Sequence, residues 1–294
     1  MATLNHWVEG ARPRTLPAAV APVAVGTGAA YALDRGNAGF ALLALFVALF
    51  LQIGVNYAND YSDGIRGTDE DRVGPVRLVG QGLANPSNVK LAAFASFFVA
   101  AFVGLALITL ANTPWLLLVG VAAIIAAWKY TGGKNPYGYQ GLGEVFVFIF
   151  FGLVAVLGTT YTQAKEISVP AIAGAVGVGA IACAILVTNN LRDIPSDSEV
   201  GKNTLAVRLG DRPTRIFYAV LVAVAALAVG VCAVYHLPAA AGFVSLVLAV
   251  PPLRRVLGGA TGRDLVPALA GTGRFQLAYG ILLGGGLLAA HFMN

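Results

Sequence analysis

Apolar runs of membrane-spanning length follow one another along almost the whole chain, far more hydrocarbon than a soluble core of this size can bury. They cover approximately 15–33, 39–59, 89–111, 114–130, 142–163, 168–191, 212–235, 237–257 and 272–292. In lipid every backbone N–H and C=O must be bonded within the protein, which leaves helices or a closed barrel, and these runs lack the alternation of barrel strands. The fold class read from the sequence is an all-α integral membrane protein, a bundle of nine transmembrane helices. With 57% of residues hydrophobic and 11% charged, composition points the same way. No Ser/Pro-rich linker or low-complexity tract interrupts the runs, so residues 1–294 read as a single transmembrane domain. Pro251 and Pro252 should bend or shorten the eighth span.

The charges orient the bundle. Lys and Arg number nineteen, and all but Arg35 and Lys165 fall on one side once the N-terminus is placed in the cytoplasm. That side is then cytoplasmic, the number of spans is odd, and Asn294 is external. A net charge of +5 spread this way serves topology, and nucleic acid is not an expected partner. No short apolar core followed by a small-residue cleavage site begins the chain, so no signal peptide is read there. Cys183 and Cys232 lie in apolar runs without ligand spacing and read as packing residues. Gly26, Gly28, Gly174 to Gly179 and Gly284 to Gly286 allow close helix contact.

Two polar segments end apolar helices and carry the chemistry. In the first, Asn56, Asn59, Asp60 and Asp63 are spaced i, i+3, i+4 and i+7, on one helical face. In the second, Asn189, Asp193 and Asp197 are spaced i, i+4 and i+8, with Pro195 breaking the helix before the last. The Asn-x-x-x-Asp core recurs 130 residues after its first appearance and places both clusters on the cytoplasmic side, at a solvated rim. Clustered carboxylates at a membrane boundary need cations, and Mg²⁺ held by one or two of them, with water and phosphate oxygens completing its shell, suits a phosphorylated substrate. Arg72, Arg77, Lys202 and Arg208 are placed to take the remaining phosphate oxygens. The bland alternative is a pair of solvated helix ends neutralised by neighbouring arginines; the duplication of the motif on one side argues against it.

At these residues the chain resembles the UbiA-type superfamily of intramembrane aromatic prenyltransferases, in which two Asp-rich motifs follow helices of a nine-helix bundle. Four ordered blocks resemble its menaquinone branch, the 1,4-dihydroxy-2-naphthoate polyprenyltransferases: Ala11 to Pro17 (ARPRTLP), Asn59 to Asp69 (NDYSDGIRGTD), Tyr130 to Gly133 (YTGG) with Gly141 to Glu144 (GLGE), and Asn189 to Asp193 (NNLRD) with Gly201 to Ala206 (GKNTLA). The general superfamily pattern would put Asp at Gly67; the naphthoate branch shows the Gly-x-Asp form instead, which carries the second metal role to Asp69. By that resemblance Asp63, Asp193 and Asp197 are catalytic. Asn59, Asp60, Asp63, Asp69, Asn189, Asp193 and Asp197 ligate metal, and Arg72, Arg77, Lys202 and Arg208 bind diphosphate. Asn56, Tyr130, Tyr137, Tyr139 and Glu144 line the aromatic acceptor, with Trp128 a further candidate wall. For the tyrosines and Trp128 the alternative is an interfacial aromatic belt, and for Glu144 a favourable helix-dipole charge.

The resemblance implies a polyprenyl diphosphate donor, 1,4-dihydroxy-2-naphthoate as acceptor, Mg²⁺ as cofactor, and a site within the bilayer of a bacterial plasma membrane. Ionisation of the allylic C–O bond would give a cation captured by the ring, with diphosphate and CO₂ leaving and demethylmenaquinol as the product. The rivals are another acceptor, namely 4-hydroxybenzoate, homogentisate or a haem precursor, which the Tyr130 block argues against, and a secondary transporter, whose acids belong near mid-span. His6, His236 and His291 show no ligand spacing.

Overall fold

The computed structural model describes residues 2–67 and 76–293, so Asp69, Arg72 and Asn294, named above, lie outside the described residues. Every regular element among the described residues is helical. In chain order these are α1 (Leu4–Gly10), α2 (Pro17–Ala32), α3 (Ala38–Gly64), α4 (Pro86–Leu110) and α5 (Leu116–Lys129). Next come α6 (Gly143–Val147) and α7 (Ala155–Ala164), joined by a π-helical stretch over Phe148–Val154. There follow α8 (Val169–Arg192), α9 (Ile194–Glu199), α10 (Leu205–Leu209), α11 (Asp211–Tyr235), α12 (Val250–Leu257) and α13 (Val266–His291).

Their starts are written in the sequence. Asn37, Asn85 and Ser168 precede apolar runs, and each side chain accepts a backbone N–H of the first turn, from Phe40, Ser87 and Ala171. Pro86 and Pro170 stand in first turns, where a missing N–H costs nothing. Pro251 and Pro252 do the same for α12. Leu237–Ala249 ahead of it winds as a 3₁₀ helix, so the eighth run continues as one 21-residue apolar element that changes its winding at the prolines.

Among the described residues six helices are long and apolar enough to cross a bilayer, or seven if the bent pair Leu4–Thr15 and Pro17–Ala32 is one span. Two expected spans fall outside that number for different reasons. At 14 residues α5 is about 21 Å long, short of the hydrocarbon thickness. The 26 residues of α13 reach about 39 Å, but Arg274, Gln276 and six glycines dilute its apolar character.

Hydrogen bonds mark two ends of the bundle. At one, Tyr57 donates to the Trp7 carbonyl, and Arg66, just beyond α3, donates to the carbonyls of Thr131 and Gly133. At the other, the Asn37 N–H donates to Gln163 Oε1, Arg35 to the Ala164 carbonyl and Lys165 to the Ala111 carbonyl, while His291 pairs with Asp34 at 2.6 Å. Thus α1 begins at the first end and α13 finishes at the second, as an odd number of crossings requires. Arg35 and Lys165, the two cations set apart in the sequence, share that second end.

The core runs between α2, α8, α11 and α13 and packs many alanines and valines around the fully buried rings of Tyr218, Phe275 and Tyr279. A Cβ at Gly28 would strike the Gly284 carbonyl and one at Gly280 the backbone of Ala21, so α2 and α13 meet almost backbone to backbone. Lipid tails are as apolar as Leu, so such packing, rather than a hydrophobic drive, holds the helices together.

Candidate functional site

Near the first end the last two turns of α3 split their polar residues into two sets. Asn56 and Asp60 face the protein's own backbone. Asn56 Nδ2 donates to the Ala11 carbonyl at 2.8 Å and to Thr15 Oγ1 at 2.9 Å, pinning the turn that leads into α2. Asp60, fully buried, accepts the Leu78 N–H at 2.7 Å on Oδ2 and the Val79 N–H at 3.1 Å on Oδ1, anchoring the segment that returns to α4. Asn59 and Asp63, on the same helical face by spacing, bond instead to the loop after α5. Asn59 Oδ1 accepts from Thr131 Oγ1 and Asp63 Oδ1 from the Tyr139 hydroxyl, both at 2.8 Å.

 One oxygen of the Asp63 carboxylate is thereby held by the loop after α5.

The second motif approaches the same loop from the other side. Helix α8 ends at Arg192, Asp193 interrupts it, and α9 resumes with Pro195 in its first turn. Arg192 grips Asp193 through two parallel hydrogen bonds of 2.6 and 2.7 Å and also donates to Asn189 Oδ1 at 2.9 Å. Lys202 Nζ lies 3.3 Å from Asp197 Oδ1 and 5.2 Å from the centre of the Tyr139 ring. Arg66 stands over the same ring at 5.3 Å. Tyr139 therefore touches the first motif at Asp63 and reaches the second through Lys202.

The expectation of a solvated rim does not hold within the fold. Asp63, Asp193 and Asp197 are 3%, 4% and 5% exposed, with Tyr139 from the loop after α5 on Asp63 and Lys202 on Asp197. Neither cluster lies at mid-span, where a transporter's acids were expected.

Beneath these groups lies an apolar cavity of about 400 Å³ enclosed by α2, α3, α4, α5 and the α6 to α7 span. Asn56, Asn59, Tyr130 and Tyr137 stand at its polar mouth. Along α3 it extends from Asn59 to Ala44, about 22 Å of helix. Tyr137 stacks on Phe146 at 3.9 Å, its hydroxyl donates to the Ala126 carbonyl, and burial raises its pKa, so it stays neutral. Tyr130 meets Tyr137 edge-on at 5.5 Å.

The other candidates fall elsewhere. Tyr139 is not part of the cavity wall, and Trp128 packs on Phe94 and Tyr61 away from it. Glu144 is buried and accepts from Asn190 Nδ2 at 3.0 Å. Arg77 is buried at the first end, and the exposed Arg208 lies against Gly141, whose left-handed φ of 69° shapes the loop. Arg66, Thr131 and Arg192 were not singled out as site residues from the sequence. Thr131 sits inside the Tyr130 block, Arg66 inside the Asn59 to Asp69 block, and Arg192 adjoins Asp193, so adjacency was the available signal.

Hard oxygen donors fit Mg²⁺: Asn59 and Asp63 on one side, Asn189, Asp193 and Asp197 on the other, with cations already compensating the second set. Among the described residues no group of three or more His, Cys, Asp or Glu is drawn close enough to form a metal cage by itself. Such sparse protein ligation is the usual arrangement where phosphate oxygens and water complete the shell.

Comparison with known proteins adds an independent line. The model of the UbiA prenyltransferase family matches residues 19–262. A 1,4-dihydroxy-2-naphthoate octaprenyltransferase from Mycobacterium tuberculosis is 53% identical over 98% of both chains. One of the same description from Haemophilus influenzae is 39% identical over 97% of this chain and 96% of its own. Among solved structures, a UbiA homologue from Archaeoglobus fulgidus bound to GPP and Mg²⁺ superposes with a TM-score of 0.66 at 15% identity, over 97% of this chain and 99% of that one.

Proposed function

The chain belongs to the UbiA prenyltransferase family, and from that premise we propose that it transfers a polyprenyl group from its diphosphate to 1,4-dihydroxy-2-naphthoate, releasing diphosphate and CO₂ and forming demethylmenaquinol. One observation carries the reading: a cluster of acids and cations stands over the polar mouth of an apolar cavity, and Asn59 belongs to both. The relatives' names supply the acceptor and a long prenyl donor.

Asn59, Asp63, Asn189, Asp193 and Asp197 would hold Mg²⁺, joined by Asp69. Asp60 is the least suited of the expected ligands, since both its oxygens accept backbone N–H groups. When bound, the ion supplies Lewis-acid withdrawal of electron density from the diphosphate and a template for its oxygens. Arg72, Arg77, Lys202 and Arg208 take phosphate oxygens as charge builds on the leaving group. The cavity below receives the prenyl tail and keeps water from the allylic cation after the C–O bond ionises. The ring carbon bearing the carboxylate forms the new C–C bond, and the electron pair of the departing CO₂ returns to the ring. Asn56, Tyr130 and Tyr137 wall the acceptor at the mouth, and Glu144, held by Asn190, completes the acceptor set.

We place residues 1–294 as one nine-helix domain in a bacterial plasma membrane with the site end cytoplasmic, which the distribution of Lys and Arg supports. Mass spectrometry of products made by the purified protein with Mg²⁺, octaprenyl diphosphate and either 1,4-dihydroxy-2-naphthoate or 4-hydroxybenzoate tests the reaction. The naphthoate should yield a prenylated product lacking its carboxyl mass and the benzoate little or none. Comparable turnover of the two acids, or a product retaining the carboxyl group, would overturn the acceptor assignment.

A further inference from the structure

The loop after α5 carries three tyrosines, and they divide. Tyr130 and Tyr137 line the apolar cavity; Tyr139 is not part of its wall and touches Asp63 of the first motif together with Arg66 and with Lys202, the cation paired with Asp197 of the second. Its hydroxyl donates to Asp63 Oδ1 at 2.8 Å. Its ring is shared by Arg66, at 5.3 Å, and Lys202, at 5.2 Å. Its carbonyl accepts the Asn203 N–H at 3.0 Å, and Lys202 in turn lies 3.3 Å from Asp197. The seat is stiff: Gly138 is pressed against Tyr130, and Gly141 turns the chain with φ of 69°.

We propose that Tyr139 is a positioning residue that holds the first and second acidic motifs in register for a metal diphosphate, and is not part of the acceptor wall. This rests on the diphosphate reading above. A phenol donating to one oxygen of Asp63 fixes the plane of that carboxylate and the direction of its other oxygen, and a hydrogen bond to a charged acceptor is of the stronger kind. The ring meanwhile offers both cations a neutral aromatic surface. Phosphate oxygens arriving beside the ring would meet Arg66 and Lys202. The two functions separate by substitution, because Tyr139→Phe removes the hydroxyl and keeps the ring, whereas Tyr139→Leu removes both.

The test is calorimetric binding of inorganic diphosphate, with and without Mg²⁺, to the full chain in detergent, alongside steady-state kinetics. Tyr139→Phe should weaken Mg²⁺-dependent diphosphate binding on the order of tenfold. It should raise the donor KM and the half-saturating Mg²⁺ concentration while leaving the acceptor KM unchanged. Tyr139→Leu should weaken binding further; if it does not fold, the Phe variant alone decides. Wild-type diphosphate affinity in Tyr139→Phe, or a raised acceptor KM with diphosphate binding intact, would overturn the proposal and return Tyr139 to the acceptor wall. If the wild-type protein itself binds no diphosphate with Mg²⁺, the underlying diphosphate reading falls, and this inference with it.

Discussion

At the scale of the residue, the decisive fact is that the acids of the site are buried together with their counter-charges. Arg192 and Asp193 are 7% and 4% exposed and joined by two short hydrogen bonds. Neutralising one member of a buried pair strands the other, at a cost of about 3–5 kcal/mol, whereas replacing both with apolar groups of similar volume restores much of it. Asp193→Asn should therefore lower the unfolding temperature in detergent as well as abolish turnover, an outcome that acids on a solvated rim would not give. Arg192→Met should do likewise, and the double variant Arg192→Met/Asp193→Leu should recover stability without recovering activity. Thermal unfolding of the three proteins checks this, and equal stability of all three with wild type would show that the pair is solvated. Asp60 belongs to a different category, since its oxygens terminate two backbone N–H groups and so shape the chain around the site.

At the scale of the element, the α6 to α7 span shows how local winding serves the cavity. Its π-helical stretch holds Phe150, Phe151 and Val154 on the cavity wall, and α7 follows with Ala155, Gly158 and Thr159 on the same wall. A Cβ at Gly158 would meet nothing within 4 Å, so a side chain there can enter the cavity without disturbing a neighbour. Gly158→Leu should leave stability unchanged or slightly improved, because glycine is a poor helix former. It should compete with the prenyl tail for space, and overfilling of about 1–3 kcal/mol translates to a loss of about five- to hundredfold in use of an octaprenyl donor, with ten-carbon donors much less affected. Rates measured across a donor length series decide the matter. A parallel fall for short and long donors would mean that the tail does not occupy this cavity.

At the scale of the whole molecule, the bundle has one end rich in acids and cations and another closed by Arg35, Asn37, Gln163, Lys165 and the Asp34 to His291 pair. Both native cysteines are buried, so a cysteine introduced at the surface can be labelled selectively. With the site end cytoplasmic, Glu166→Cys should react with a membrane-impermeant maleimide in intact cells and Ser198→Cys only after lysis. The reverse pattern would invert the orientation drawn from the basic residues.

The amino-acid sequence by itself determined the helical membrane fold and the two motifs, and its basic residues set the expectation for orientation. Each of these depends on local pattern: hydrocarbon admits one backbone solution for such runs, charge counts are independent of packing, and caps such as Asn37 and Ser168 act within a turn. Division of labour inside the motifs was not legible there. Asn56, Asn59, Asp60 and Asp63 share a helical face by spacing, yet the partners that separate them are distant in sequence: Ala11 for Asn56, Thr131 for Asn59, Leu78 for Asp60 and Tyr139 for Asp63. Tyr137 and Tyr139 are two residues apart and look alike in the sequence, but one stacks on Phe146 at the cavity and the ring of the other meets Arg66 and Lys202. Spacing sets the direction of a side chain relative to its own helix or turn; what it meets there is decided by chain that returns from far away, and only the tertiary structure brings that chain back.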